Sequence, residues 1–197
     1  MLEAPEHLQT DRLILRRWQD GDLEALAAIN SDARTMEYFP SPLTFAQSAA
    51  LLERIRRAFI LRHIGFWAIE LKKTGKLIGF SGLTEPTLLI HCAFCFELGY
   101  RIHHHFWGNG YGTEAASKAI EDGFTRLPIP EIFACTASSN KRSRKVMEKL
   151  GMQRELDYDF FHPGVSDGHP LKPHVLYRLT RNSWLKNASA WRRQPLT

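Results

Sequence analysis

A glycine-rich loop between a strand and a helix constrains this chain more than any other feature of its sequence. The segment Trp107-Gly-Asn-Gly-Tyr-Gly-Thr-Glu114 follows a run typical of a strand and precedes apolar residues at helical spacing. Glycines permit backbone conformations that other residues resist and leave room for a ligand. The helix adds N–H groups and the positive end of its dipole. The loop is therefore predicted to cradle an anion such as a pyrophosphate, and a plain glycine turn is the alternative.

The glycine spacing narrows the class of ligand. Gly108, Gly110 and Gly112 are each two residues apart, whereas a dinucleotide-binding loop needs its third glycine three residues after the second. The Gly-Lys-Ser/Thr ending of a nucleotide triphosphate loop is missing as well. Nicotinamide chemistry and ATP or GTP hydrolysis are therefore disfavoured.

The remaining patterns indicate one mixed α/β domain. Strands are predicted at residues 10–18, 66–71, 76–83, 91–102, 131–137, 152–161 and 174–180. The first helix is predicted to begin at residue 20 or 22, and the second directly after a cap at Thr44. Two further helices are predicted over 113–127 and over 140–150, the last with Asn140 as its N-cap. Without an interdomain linker, residues 1–184 are predicted to form a single domain and 185–197 an extension. The start of the chain lacks an apolar signal core and no stretch reaches the ~20 apolar residues of a membrane span, so a cytoplasmic protein is expected.

The charge balance favours anionic ligands without identifying them. A formal charge of +5 and a pI of about 9.2 suit either a phosphate-bearing cofactor or RNA. The basic residues are not interleaved with aromatic platforms, so specific nucleic-acid binding is not expected.

Cysteine and histidine clusters raise the question of a metal. Cys92 and Cys95 are three apart on a predicted strand, so their thiols point to opposite faces, and both are predicted to be buried apolar residues. With Cys135 the cysteines are odd in number and cannot form a complete disulfide framework. The run 103–105 consists of three histidines, which cannot easily converge on one ion, and no acidic partner has suitable spacing. No metal is predicted.

Six sequence blocks, in order, resemble one family. They are Thr10-Asp-Arg-Leu-Ile-Leu-Arg16, Met36-Glu-Tyr-Phe-Pro40, Glu97-Leu-Gly-Tyr-Arg-Ile102, Trp107 to Ala115, Asn140-Lys-Arg-Ser143 with Lys149-Leu-Gly-Met152, and His174 to Thr180. Over residues 10–184 the chain resembles the GCN5-related N-acetyltransferases (GNAT), in particular the branch containing the ribosomal-protein N-terminal acetyltransferases.

The resemblance implies a fold and a co-substrate. The fold is a central, mostly antiparallel sheet splayed between two strands and flanked by helices, and the co-substrate is acetyl-CoA. Backbone groups of Tyr100, Arg101 and Ile102 would bind the pantetheine arm and polarise the thioester. The pyrophosphate would lie on the loop formed by Trp107, Gly108, Asn109, Gly110, Tyr111, Gly112 and Thr113. Relatives have Gln or Arg where this chain has Trp107.

The catalytic candidates also follow from the resemblance. Asn140 would help hold coenzyme A and Ser143 would lie near its sulfur. Many relatives place an acidic tyrosine four residues after Ser143, where this chain has Met147, so Ser143 is the candidate proton donor. Glu97 is the candidate base, acting through water, unless it pairs with Arg101 or another neighbour; Glu37 is a second candidate.

These features favour an N-acetyltransferase that acts by direct attack of a primary amine in a ternary complex. The acceptor is either a protein N-terminus or a small molecule such as an aminoglycoside, a polyamine or an amino acid. A non-catalytic acyl-CoA sensor is the alternative from another class. The sequence leaves monomer and homodimer equally open.

Overall fold

A computed structural model describes residues 3–86 and 95–191, which form one sheet with helices on both faces. The strands are β1 His7–Gln9, β2 Leu13–Arg16, β3 Phe66–Leu71, β4 Leu77–Thr84, β5 Phe96–Ile102, β6 Glu131–Ala137, β7 Gln153–Arg154, β8 Phe160–Phe161 and β9 Pro173–Thr180. The helices are α1 Asp22–Ser31, α2 Phe45–Arg62, α3 Tyr111–Arg126, α4 Lys141–Lys149 and α5 Arg181–Trp191, with short 3₁₀ turns at His104–Phe106 and Leu156–Tyr158. The mixed α/β class is confirmed.

The sheet order is β1-β2-β3-β4-β5-β6-β9-β7, with β8 pairing onto β9. Every described pairing is antiparallel except that of β5 with β6. That parallel contact covers only Phe96 with Ile132 and Glu97 with Phe133, whereas residues 79–84 of β4 pair with residues 97–102 of β5. The two strands therefore diverge after Glu97, and the predicted splay in the sheet is confirmed.

The helix starts follow from their capping residues. The Thr44 hydroxyl accepts from the Gln47 N–H while the Gln47 side chain accepts from the Thr44 N–H, a complete capping box. The predicted N-cap at Asn140 is also confirmed, since its side chain accepts from the Ser143 N–H at 3.0 Å. These caps set where α2 and α4 begin.

Two apolar clusters hold the helices against the sheet. One contains Phe124 of α3 with Leu98 and Val175, and the other contains Leu52 of α2 with Trp67 and further strand residues. At roughly 2 kcal/mol per fully buried large side chain, these clusters supply most of the stabilisation. They fix the frame on which the splayed strands lie.

Three predicted elements differ in the structure. A separate strand, β1, precedes the first predicted strand, and β2 covers only Leu13–Arg16 of it. The strand predicted at 152–161 is interrupted by a 3₁₀ turn into β7 and β8. The strand predicted from residue 91 is seen from Phe96, since residues 91–94, like Cys92, lie outside the described residues. The interruption within 152–161 could not be predicted from the alternation of apolar residues, because β7 and β8 each pair with a different stretch of β9.

Helix α5 runs through the predicted domain boundary at residue 184. The Trp184 ring packs 5.2 Å from that of Phe124, which ties the start of α5 to the core. Within residues 3–86 and 95–191, no helix combines the length and apolarity that a bilayer crossing needs.

Candidate active site

The divergence of β5 from β6 leaves part of β5 without a partner on one edge. The His103 N–H donates to the Ile78 carbonyl, so this residue pair is a hydrogen-bonded pair of the β4–β5 ladder. In an antiparallel ladder every second residue directs its N–H and C=O groups toward the neighbouring strand. The backbone groups of Arg101 and Gly99 point to β4, and those of Leu98, Tyr100 and Ile102 point into the gap. The open edge predicted from the resemblance is present at Tyr100 and Ile102, whereas Arg101 presents its side chain and not its backbone.

The glycine loop has the geometry of an anion cradle. Gly108 and Gly110 have φ of 80° and 78°, a region that side-chain-bearing residues rarely adopt. Helix α3 begins at Tyr111 without a side-chain cap, and the first bond to its preceding turn runs from the Glu114 N–H to the Gly110 carbonyl. In the described part of the chain, the N–H groups of residues 111–113 therefore have no acceptor. They fit a pyrophosphate, together with the positive end of the helix dipole.

Trp107 and Asn109 stiffen this loop. The Trp107 indole Nε1 donates to the Ile102 carbonyl at 2.7 Å, which joins the loop to the end of β5. The Asn109 side chain donates to the Phe106 and Trp107 carbonyls at 3.2 and 3.1 Å. The Arg142 guanidinium lies 4.5 Å from the Trp107 ring centre, so a cation does lie beside the loop, although it comes from α4.

A buried carboxylate anchors the start of α3, and no role was predicted for it. Glu114 is 4% exposed and accepts from the Thr10 hydroxyl, the Arg12 N–H and the Arg12 Nε at 2.5, 3.0 and 2.7 Å. Two of the sequence blocks that define the resemblance therefore meet in one ion pair. Their separation of about 100 residues hid the contact from the sequence.

Ser143 and Tyr100 lie together on the α3 side of the sheet. The Tyr100 hydroxyl is 2.8 Å from the Ser143 Oγ and 3.0 Å from the Ser143 carbonyl. Burial raises the pKa of Tyr100, so its hydroxyl stays protonated. Met147, in the slot of the relatives' tyrosine, is buried in the core. A tyrosine hydroxyl is thus present near Ser143, but it comes from β5.

Asn140 is occupied on both sides of its amide. Its oxygen caps α4 and its nitrogen donates to the Thr136 hydroxyl at 3.1 Å. The structure thereby accounts for Asn140 as a helix cap, and its contact with coenzyme A stays a prediction.

Glu97 lies on the opposite face from Ser143, at the point where the strands part. The alternative of an ion pair with Arg101 is wrong, because Arg101 has no carboxylate partner among the described residues. Instead the Cys135 thiol donates to the Glu97 Oε1 at 3.3 Å, and burial first, then this carboxylate, raises the pKa of Cys135. Cys95, predicted as a buried apolar residue, is indeed buried among apolar neighbours.

The second candidate base has a different partner. Glu37, in the connection between α1 and α2, forms an ion pair with Arg142 at the start of α4. This pair bridges the opening between β5 and α4, so the connection covers one side of the gap.

The histidine run has an acidic neighbour that spacing could not reveal. His104 Nδ1 is 2.7 Å from the Asp32 Oδ1 at the end of α1, and Asp32, His103 and His104 offer ligand atoms within 4.8 Å of one another. Hydrogen bonds from Thr35, and then from His104, lower the pKa of Asp32 to about 2. This partner is 72 residues away in the sequence, so the argument from local spacing did not reach it, and the absence of a metal stays a prediction.

The comparisons with known proteins agree with this geometry. Residues 12–153 match the family model described as an acetyltransferase (GNAT) domain. The chain is 31% identical over 150 residues to the uncharacterized N-acetyltransferase YoaA of Bacillus subtilis, covering 75% of this chain and 83% of that protein.

Two solved structures share the fold at low identity. One is the ribosomal-protein-S5-alanine acetyltransferase of Vibrio fischeri, with a TM-score of 0.73, 18% identity and coverage of 90% of this chain and 98% of that one. The other is spermidine N-acetyltransferase of Vibrio cholerae in complex with CoA and spermine, with a TM-score of 0.71, 20% identity and coverage of 89% and 99%. With the family match and the open strand edge beside the cradle, they lead to one conclusion: this chain belongs to the GNAT family, the acetyltransferases that use acetyl-CoA as co-substrate.

Proposed function

We propose that the chain transfers the acetyl group of acetyl-CoA to a primary amine by direct attack in a ternary complex. The observation that carries this proposal is the gap after Glu97, which has a carboxylate on one face and the Tyr100–Ser143 pair on the other. A thioester in that gap would meet an amine from the Glu97 side and release its sulfur toward Ser143.

In this proposal Glu97 accepts the proton of the amine and Ser143 supplies the proton of the departing thiol. The amine nitrogen bonds to the acetyl carbon, and its proton passes to Glu97 through water. The carbon–sulfur bond breaks, and the thiolate takes a proton from the Ser143 hydroxyl. Tyr100, 2.8 Å away, holds that hydroxyl in position, and the serine oxygen recovers its proton from water that enters after CoA leaves. Backbone N–H groups in the gap stabilise the oxyanion.

The cradle would hold the co-substrate. The N–H groups of Asn109 to Thr113 bind the pyrophosphate, and the open backbone of Tyr100 and the N–H of Ile102 bind the pantetheine amides as an added strand would. Trp107 keeps the loop against β5 through its bond to Ile102.

The acceptor belongs to the same proposal. A protein N-terminus is the leading class, in line with the ribosomal-protein branch, and the reaction is placed in the cytoplasm. A small-molecule amine is the second class, supported by the spermidine enzyme that shares the fold. An acyl-CoA sensor is the third reading and predicts cofactor binding without amine-dependent release of CoA.

The test is release of the CoA thiol from acetyl-CoA with a panel of peptides, polyamines and amino acids. We expect amine-dependent release and a product heavier by one acetyl group. Glu97→Gln should lower kcat by about 100-fold or more, with a rate that rises with pH as bulk water deprotonates the amine. Glu121→Gln, on the exposed side of α3, is the matched control and should keep the wild-type rate. Binding of acetyl-CoA with no release for any amine would reject catalysis in favour of the sensor.

A further inference from the structure

Arg101 is a largely buried cation whose charge no carboxylate balances among the described residues. Its Nη1 donates to the Asn30 Oδ1 at 2.5 Å, and its Nε is buried and has no hydrogen-bond partner within residues 3–86 and 95–191. Burial lowers the pKa of Arg101 to about 10, and no neighbouring acid offsets the effect. A buried charge and an unmade hydrogen bond both cost free energy, so such groups are usually paired.

The other buried arginines show what this protein does elsewhere. Arg16 contacts Asp22 and Glu70 at 2.7 and 2.8 Å, and Arg126 is bidentate to Asp122 at 2.6 and 2.7 Å. Arg17 donates to two backbone carbonyls. Arg12 also has a nitrogen, Nη2, without a well-directed bond, but it lies 2.6 Å from the Glu114 carboxylate. Arg101 lacks all of these compensations.

The acids nearest to Arg101 along the fold have other partners. Asp32 binds Thr35 and His104, Glu37 pairs with Arg142, and Glu97 accepts from Cys135. The Asn30 amide is itself held in place, because its nitrogen donates to the Ser48 hydroxyl at 3.1 Å. The side chains that surround the guanidinium are therefore fixed, and none supplies a negative charge.

Arg101 lies on the acceptor side of the gap. It shares the Glu97 face of β5, since residues four apart on a strand point the same way. The guanidinium lies between the Phe39 and Phe80 rings, 4.2 and 5.1 Å from their centres. Phe80 is buried, but Phe39 belongs to the connection above the gap and is 39% exposed. A ligand entering beside Glu97 thus reaches the guanidinium by displacing one partly exposed ring.

We propose that Arg101 binds a carboxylate of the acceptor, so that the substrate is an amine that also carries an acidic group, such as an amino acid or a peptide with an acidic residue near its N-terminus. This inference rests on the proposed function. The planar guanidinium suits a carboxylate, which would satisfy the Nε and balance the charge at once. Polyamines are disfavoured, because the buried cation repels them.

Matched acceptors test this proposal. The pairs are alanine with alaninamide, β-alanine with β-alaninamide, and a C-terminally amidated tripeptide with Glu at its second position against the same amidated tripeptide with Gln, so that the amide member of each pair has no carboxylate. Initial rates of CoA release give kcat/KM, and calorimetry in the presence of CoA gives binding without turnover. We expect at least one pair to favour the acid by about 10- to 100-fold, the range of a charge-assisted contact.

Two variants should remove this preference by different routes. Arg101→Gln deletes the cation, and Asn30→Asp supplies a carboxylate from the protein itself, at the atom that now contacts Nη1. In both, the ratio of acid to amide should fall to about 1. Asn182→Asp, an exposed change on α5, should keep the wild-type ratio. Thermal unfolding of each variant checks that it is folded.

The outcomes separate the two proposals. CoA release that is equal for acids and amides, or a preference that survives in Arg101→Gln and Asn30→Asp, overturns the carboxylate site and leaves the transferase standing. If the protein neither binds acetyl-CoA nor turns it over, the transferase is rejected. The calorimetric comparison of each acid with its amide then still decides whether Arg101 recognises a carboxylate.

Discussion

The glycine loop and the Arg101 pocket both attract negative charge, but they are built in different ways. The loop offers backbone N–H groups from residues 111–113, set by two glycines with positive φ and by the start of α3. The pocket offers one side chain, placed by Asn30 of α1, Phe39 of the following connection and Phe80 of β4. Backbone donors suit a group that every relative binds, and side chains suit an acceptor that differs between relatives.

The same difference governs how charges are balanced. At the loop, the buried Glu114 has three protein donors and fixes α3. At the pocket, Arg101 has one neutral acceptor and an unpaired Nε. The Glu114 charge is therefore balanced by the protein before a ligand arrives, whereas we infer that the Arg101 charge is balanced only when an anion binds.

Removal of Glu114 should give the largest loss of stability. Glu114→Ala leaves Thr10 and the Arg12 N–H without their acceptor and deprives Arg12 of its counter-charge. We expect a loss of about 3 kcal/mol in the free energy of unfolding. Denaturant unfolding measures it, with Glu121→Ala, which removes an exposed pair with Lys118, as a control that should cost below about 0.5 kcal/mol. Equal losses in the two variants would show that Glu114 does not anchor the loop.

Tyr100 contacts Ser143 in the gap, and its removal should affect chemistry more than binding. Tyr100→Phe keeps the ring in the core but takes the hydrogen bond from the Ser143 Oγ. We expect kcat to fall about 10-fold while the Kd of acetyl-CoA stays within about twofold. Steady-state kinetics and calorimetry separate the two quantities. A large rise in Kd with unchanged kcat would assign Tyr100 to binding alone.

The smallest expected effect concerns Asp32, whose pKa is lowered to about 2. A carboxylate with a lowered pKa in the folded state stabilises the protein above its unfolded value near 4, and this contribution disappears as the pH falls toward 2. Since Asp32 is solvent-accessible, screening limits the effect to about 1 kcal/mol. Asp32→Asn should therefore be less stable than wild type at pH 5–7, and the difference should close between pH 4 and 2. A difference that persists at pH 2 would contradict this account.

Local patterns predicted the loop region well. The strand–loop–helix order, the N-cap at Asn140 and the strand Glu131–Ala137 depend on residues close in sequence, and all are present. The splay at β5 came from the family resemblance, and the register confirms it. Such features are visible because dihedral preferences and capping act within a few residues.

Contacts between distant segments were missed. The Cys135–Glu97, Tyr100–Ser143 and Asp32–His104 pairs each join elements more than 35 residues apart. Their partners depend on which strands lie side by side and which helix ends meet the sheet. No spacing rule within one segment encodes that, so the catalytic face could be proposed only in outline from the sequence.

The central claim is that the backbone cradle binds acetyl-CoA, and calorimetric titration tests it most directly. Wild type, Gly110→Glu and Gly75→Glu are compared, because both glycines have positive φ, at 78° and 67°, but Gly75 lies in the β3–β4 turn away from the site. We predict micromolar binding by wild type and by Gly75→Glu, and a loss of at least about 100-fold in Gly110→Glu, where the new carboxylate repels the phosphates. Equal binding by all three proteins, or none by wild type, would contradict the account.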